Sequence, residues 1–207
     1  MKTLKRLFDL LVSSVLLVIL SPVMVLIALM IRLDSPGPAL FRQQRLGQGQ
    51  SKFTILKFRT MYHRTKIDQE REAVVESADD PRITRVGRFL RKTSLDELPQ
   101  LINVVRGDMS LVGPRPILPE QLRAIPEQHL DRFEMKPGIT GLAQVRGRRS
   151  LNWLEQLKYD SEYCRNWSFL LDLKILWQTV WVVLTGKGVY GTQQDNWRNY
   201  INKGVLK

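Results

Sequence analysis

The sequence predicts a mainly α-helical fold. A membrane-embedded N-terminal helical element is followed by a compact α-rich domain with interfacial amphipathic helices and little β-structure. Three observations carry this reading. Residues 10–31 form a run of 22 positions without a charge. Residues 94–106 and 151–184 repeat apolar side chains at helical spacing. Only residues 53–61 alternate loosely, as a short strand or extended segment does. The expected divisions are 1–33 for the membrane element, 34–186 for the main domain and 187–207 for a C-terminal tail.

The apolar run is long enough to cross a hydrocarbon core of roughly 30 Å as a helix. It is too long for the apolar region of a signal peptide, and no small-residue cleavage site follows it. Both flanks are basic: Lys2, Lys5 and Arg6 oppose Asp9 on one side, and eight Lys and Arg oppose Asp34 over residues 32–66 on the other. Basic flanks favour the cytoplasm at both ends. Ser21-Pro22 lies near the middle of the run. Pro removes a backbone donor and crowds the preceding turn, and a Ser hydroxyl can re-satisfy freed backbone groups. Two readings fit: a kinked spanning helix, the commoner arrangement, and a helix-break-helix that enters and leaves by one face.

Residues 34–38 (Asp-Ser-Pro-Gly-Pro) make a stiff exit turn. Residues 67–80 are rich in acid and read as a solvated loop. Residues 169–184 are broadly apolar, with Trp177 and Trp181 one turn apart and Gly186 ending the run. Such a Trp pair suits a helix lying in a membrane interface, and equally a core helix.

Lys and Arg total 32 against 20 Asp and Glu, a net charge of +12, so the expected partner is an anion: a phosphorylated small molecule, a bilayer surface or nucleic acid. Cys164 is the sole cysteine, which excludes a disulfide framework and a thiolate metal cluster. His63 and His129 are too few for a typical zinc site. A metal here is a hard cation held by oxygen, which points to Mg²⁺.

The densest chemistry lies at residues 94–99, Ser-Leu-Asp-Glu-Leu-Pro, with Arg91 before it and Gly113-Pro114-Arg115-Pro116 after it. Leu98, Leu101, Ile102 and Val105 keep helical spacing and Gly107 is a natural stop, so a short helix is expected from near Asp96 to Arg106. Ser94 and Glu97 fit a capping box, while Pro99 argues for a later start. Either way Asp96 and Glu97 fall in the first turn, where the helix dipole and Arg91 favour ionised carboxylates. Neighbouring helical residues diverge by about 100°, so the pair cannot face each other across a glycosidic bond. One carboxylate can attack while the other holds a cation, as Mg²⁺-assisted phosphoryl transfer needs. Helix capping with salt bridges explains the same local pattern, and does so more often. The proline-flanked Arg115 favours chemistry, because a rigid arginine suits bidentate phosphate binding. Residues 136–141, Lys-Pro-Gly-Ile-Thr-Gly, form a second stiff turn able to wrap a ligand with backbone donors. Arg146, Arg148 and Arg149 add positive charge.

With these motifs in order, the chain resembles the small monotopic phosphoglycosyl transferases of the bacterial sugar transferase family. The resemblance runs from Lys5-Arg6-Leu7-Phe8-Asp9 to Lys174. It takes in Ser21-Pro22, Lys57-Phe58-Arg59-Thr60-Met61, Ser94-Leu95-Asp96-Glu97-Leu98, Gly107-Asp108-Met109-Ser110, the two turns above and Phe169-Leu170-Leu171-Asp172-Leu173-Lys174. It implies ping-pong transfer of a sugar-1-phosphate from a UDP-sugar to a polyprenyl phosphate such as undecaprenyl phosphate, with release of UMP. Such a step initiates assembly of a membrane glycoconjugate: exopolysaccharide, O-antigen, capsule or a glycoprotein glycan. Carried over, Asp96 is the nucleophile and Glu97 the Mg²⁺ ligand. Arg91, Arg115, Lys57 and Arg59 would bind substrate phosphate, and Asp172 would support the site. The resemblance also implies a re-entrant membrane helix broken at Ser21 and Pro22, with the catalytic domain on the cytoplasmic face of the bacterial inner membrane. It leaves a homo-oligomer open. Two rivals are a membrane-anchored nucleic-acid-binding module and a glycan-assembly scaffold without turnover. No base-reading motif supports the first, so nucleic acid is not an expected partner. The retained carboxylate pair speaks against the second.

Overall fold

A computed structural model of the chain describes residues 2–62, 79–185 and 197–202. Most of the acidic stretch and of the C-terminal tail lie outside these residues. The described part is mainly helical, as expected. It opens with α1, Lys2–Asp34, which runs without interruption through Pro22. Ser21 Oγ donates to Val18 O at 2.8 Å, engaging a carbonyl of the preceding turn beside the proline. Ser21-Pro22 therefore does not end the helix.

Both ends of α1 are bound to the same globular body. Near its start, Lys5 Nζ donates to Asp172 Oδ2 at 2.6 Å and to Val112 O at 3.0 Å. Arg6 donates to Val104 O and Val105 O, two carbonyls at the end of helix Gln100–Arg106. Asp9 accepts from Ser110 Oγ at 2.7 Å and from the Leu111 N–H at 3.1 Å. Near its end, Ile27 and Ile31 pack with Phe58 and Leu90, and Asp34 accepts from the Val86 N–H at 3.0 Å. Between these anchors a long apolar face is open: Leu11, Val15, Val18, Ile19, Val25, Leu26 and Leu29 are all exposed. An apolar surface of that extent marks an interaction or membrane site.

Strands β1, Leu40–Leu46, and β2, Lys52–Phe58, form an antiparallel hairpin. The sequence reading anticipates the second strand and misses the first. Gly47 and Gly49 between them are the turn signal, and Gly49 takes φ +61 there. Helix α2, Arg85–Thr93, lies against the backbone of Thr60: a Cβ on Gly87 would sit 2.0 Å from Thr60 O. That close approach places Arg91, one turn on, with its Nε–H 2.8 Å from Thr60 Oγ1.

A 3₁₀ turn, Leu95–Glu97, leads into α3, Gln100–Arg106, which Gly107 terminates at φ +94. The α-helix thus begins after Pro99, not at Asp96; proline has no N–H to bond back into an earlier turn. The fully buried Asn103 joins α3 to β2, donating to Thr54 O at 2.8 Å and accepting from the Leu56 N–H at 3.0 Å. Strands β3, Ser110–Val112, and β4, Gly138–Thr140, pair in parallel. Helices α4, Leu142–Arg146, α5, Trp153–Arg165, and α6, Phe169–Thr185, follow, with α7, Arg198–Asn202, near the C-terminus. Helix α5 starts on a capping box in which Asn152 and Glu155 bond reciprocally. Helix α6 buries Ile175 and Asp172 and exposes Leu170, Trp177, Val180, Trp181 and Leu184. The Trp pair is therefore a surface feature, not core.

Candidate active site

The carboxylate pair sits on the 3₁₀ turn because Ser94, just before it, adopts the left-handed region at φ 58. A non-glycine residue there is uncommon and costs about 1 kcal/mol or more, so the surrounding contacts hold the turn in place. The anticipated capping box is absent. Ser94 makes no side-chain cap; its Oγ accepts from Arg148 at 3.2 Å. Glu97 turns instead to Lys57, with Nζ to Oε1 at 2.7 Å. Arg148 is itself in the left-handed region at φ 55, so two strained residues meet beside the pair.

Asp96 and Glu97 open onto a cleft of about 1390 Å³, lined also by Lys57, Arg91, Arg115 and Arg148. Among the described residues its walls carry nine Lys and Arg side chains against these two carboxylates, which makes it a cleft for an anion. Burial works against ionisation of Glu97, but Lys57, Arg115 and Arg148 outweigh it and hold the carboxyl down at about 2, from an ordinary 4.5. Burial pulls the Lys57 ammonium below its ordinary value, against the opposing pull of Glu97 and Asp96. The cleft has a second character. Leu16, Leu20, Val25 and Leu29 of α1 and Leu176, Val182 and Val183 of α6 give its walls an apolar share as well.

Arg115 is mounted more firmly than its two prolines suggest. Its N–H donates to Asp160 Oδ1 at 3.3 Å and its carbonyl accepts from Arg132 at 2.7 Å. Arg132 and Asp160 are themselves a buried ion pair at 2.6 Å. Residues 136–141 brace the same loop: the Gly138 N–H donates to Pro114 O and the Gly113 N–H to Thr140 O, both at 2.9 Å. A Cβ on Gly138 or Gly141 would lie 2.1 Å from Gly113 backbone atoms. The Gly138 backbone donor expected to meet a ligand is thus engaged by the arginine loop.

The family described as Bacterial sugar transferase matches residues 1–186 of the chain. The chain belongs to the bacterial sugar transferase family. It is 42% identical over 201 residues to the uncharacterized sugar transferase EpsL of Bacillus subtilis (strain 168), covering 97% of each protein. It is 43% identical over 198 residues to the UDP-glucose:undecaprenyl-phosphate glucose-1-phosphate transferase of Escherichia coli (strain K12), covering 91% of this chain and 42% of that protein. With the undecaprenyl-phosphate galactose phosphotransferase of Salmonella typhimurium (strain LT2), identity is 42% over 200 residues, 90% of this chain and 42% of the relative. The chain therefore spans less than half the length of these two transferases and nearly all of EpsL.

Two residues expected to serve the site, Arg59 and Asp172, are engaged by α1. Arg59 reaches the cleft wall, but its guanidinium donates to Ile31 O, Ser35 O and Pro36 O and so caps the end of α1. Asp172 lies off the cleft, accepting from Lys5, from Tyr163 Oη at 2.7 Å and from Trp167 Nε1 at 3.1 Å. It locks the start of α1 to α6, where Phe8 and Phe169 also meet edge to face at 5.2 Å. Replacing Asp172 with Ala leaves Lys5 buried without its carboxylate. The expected loss is about 3–5 kcal/mol of stability, read as a lower melting temperature in detergent, with the donor KM of the remaining folded protein little changed. Asn103, Arg132 and Asp160 escaped the sequence reading, and Arg148 entered it only as added positive charge. Asn103 alone carried a signal, a polar residue inside an apolar helical stripe.

Proposed function

We propose that the chain transfers a sugar-1-phosphate from a UDP-sugar to undecaprenyl phosphate or a similar polyprenyl phosphate and releases UMP. The observation that carries this reading is the mixed lining of one cleft, a carboxylate pair among cations together with apolar side chains of α1 and α6. Both substrates carry phosphate, and the acceptor adds a long apolar tail. The activities named for the Escherichia coli and Salmonella typhimurium relatives point the same way.

Asp96 attacks the β-phosphorus of the donor. The bond to the UMP oxygen breaks, and an aspartyl-phosphosugar remains. A phosphate oxygen of the acceptor then attacks the same phosphorus, giving the polyprenyl diphosphate sugar and freeing Asp96. Arg91, Arg115, Arg148 and Lys57 line the position of the diphosphate and balance its charge. Asp96 and Glu97 fit Mg²⁺, which commonly binds one or two carboxylates together with substrate phosphates. Glu97 would hold it through the oxygen that Lys57 leaves open. When bound, Mg²⁺ supplies charge neutralisation on the diphosphate.

The test is release of UMP across a panel of UDP-sugars with undecaprenyl phosphate and Mg²⁺. One donor at least is expected to yield UMP and a lipid-linked diphosphate sugar in equal amounts. No UMP from any donor, with salt-sensitive binding of DNA or RNA in its place, would overturn the reading.

The reading places α1 as a monotopic element, entering and leaving by the cytoplasmic face of a bacterial cytoplasmic membrane, with α6 lying in the interface. Its support is that both ends of α1 hold one polar body, which cannot stand on two sides of a bilayer. Impermeant thiol labelling of Leu4→Cys and Lys52→Cys, each in a Cys164→Ser background, is expected to modify both from the cytoplasmic side only. Modification from opposite sides would show a spanning helix.

A further inference from the structure

Gln144, in α4, is 7% exposed and lines the cleft, yet neither its amide oxygen nor its amide nitrogen has a hydrogen-bond partner. A buried amide with both atoms unpaired is costly, and native structures rarely keep one without a ligand or an ordered water to meet it. Room for it is built in. A Cβ on Gly141 would lie 2.9 Å from Gln144 Oε1 and 2.1 Å from Gly113 O, so the bare Gly141 lets the amide lie close to the Gly113 loop. That loop leads, two residues on, to Arg115. In the other direction Arg148 follows four residues later, and its guanidinium reaches Ser94 beside the carboxylate pair. The amide thus lies beside the loop that carries Arg115 and four residues before Arg148, and both arginines line the cleft and act on Glu97.

We propose that Gln144 is a specificity-determining contact for the sugar ring of the nucleotide-sugar donor, an assignment that rests on the transferase reading above. The reason is connectivity. In such a donor the sugar is bonded directly to the phosphate under attack, whereas the α-phosphate and the ribose separate the base from it. A group beside the phosphate-binding arginines meets the sugar first. A carboxamide presents one donor and one acceptor side by side, and two neighbouring ring hydroxyls present the matching pair. A site built to hydrogen-bond a hydroxyl discriminates strongly against an analogue that lacks or misplaces it, because the buried polar group is then left unpaired.

The test compares the full-length protein with Gln144→Met, which keeps the side-chain length and removes both polar atoms. Three quantities are read: KM for the preferred UDP-sugar, its preference over the C4 epimer and the deoxy analogues, and inhibition by UMP, which has no sugar. The expected result is a KM raised roughly 10- to 100-fold, a preference falling toward unity at one ring position, and UMP inhibition unchanged. Should Gln144→Met not fold, Gln144→Asn, whose amide is drawn back by one methylene, carries the same readings. Unchanged KM and unchanged preference would overturn the assignment, leaving the amide to water. UMP inhibition weakening in step with KM would also overturn it, by moving the contact to the nucleotide. Both outcomes leave the transferase reading standing; absence of UMP release by the unsubstituted protein with every donor would overturn both.

Discussion

Replacing Asp96 with Asn is expected to abolish UMP release from every UDP-sugar, with a loss of at least about 10,000-fold in kcat. The amide has nearly the shape of the carboxylate but no anionic oxygen to attack phosphorus. Asp96 is only half-buried, on the cleft wall. Its exchange keeps the size of the side chain, and stability is expected to change by roughly 1 kcal/mol or less. The separation of the two effects is the informative part: full activity loss with an unmoved melting temperature assigns chemistry, not folding, to this carboxylate.

The second large effect is expected at Glu97. In Glu97→Gln the negative charge facing Lys57, Arg115 and Arg148 is gone. Activity is expected to fall about 100- to 1,000-fold, the range for losing one preorganised electrostatic group in a phosphate site. The Mg²⁺ concentration needed for half-maximal rate is expected to rise. Lys57 feels the change too. Burial already lowers its pKa, and removing the carboxylate takes away the strongest opposing influence, so its pKa drops further. The pH dependence has a definite sign. In the unsubstituted protein the Glu97 carboxyl is held at about 2, below its ordinary 4.5. Its contribution to stability is complete above 4.5 and is lost as pH falls from there toward about 2. Melting temperatures between pH 5 and pH 3 are expected to fall less steeply in Glu97→Gln than in the unsubstituted protein. The low pKa also means that Glu97 is ionised at neutral pH, as a cation ligand must be, and cannot serve there as a general acid.

Much of this site was legible because its logic is local. Two adjacent carboxylates, an arginine between prolines and a basic surround are patterns of neighbouring residues, and the structure brings the carboxylates, Arg91, Arg115 and Arg148 to one cleft. The helical character of residues 100–106, 153–165 and 169–185 was equally local, set by apolar spacing. What the sequence did not disclose depends on distant contacts. Glu97 leaves its own backbone for Lys57 on the hairpin, so the capping pattern at Ser94 misleads. Arg59 carries a charge that suits a phosphate site and Asp172 was expected to support it, yet each binds α1 to the body of the protein. Arg132 and Asp160 belong to no motif, and only the fold shows that they grip the Arg115 backbone from both sides. Strand β1 was hidden because its Phe-Arg-Gln-Gln-Arg centre is half-polar and becomes a strand only by pairing with β2. The proline in α1 illustrates the limit of local rules. Local chemistry at Pro22 allows a kink or a break, and the helix continues through it, with Ser21 bonded to Val18 O.

The central claim is that Asp96 becomes covalently linked to the phosphosugar before the lipid acceptor takes part. The most direct measurement mixes the protein with its UDP-sugar and Mg²⁺ in the absence of polyprenyl phosphate, then follows UMP and the intact mass together. The account predicts a burst approaching one UMP per chain, a mass gain of one sugar phosphate on the peptide that contains Asp96, and neither in Asp96→Asn. UMP appearing only once the acceptor is added, with no adduct at any time, would contradict it.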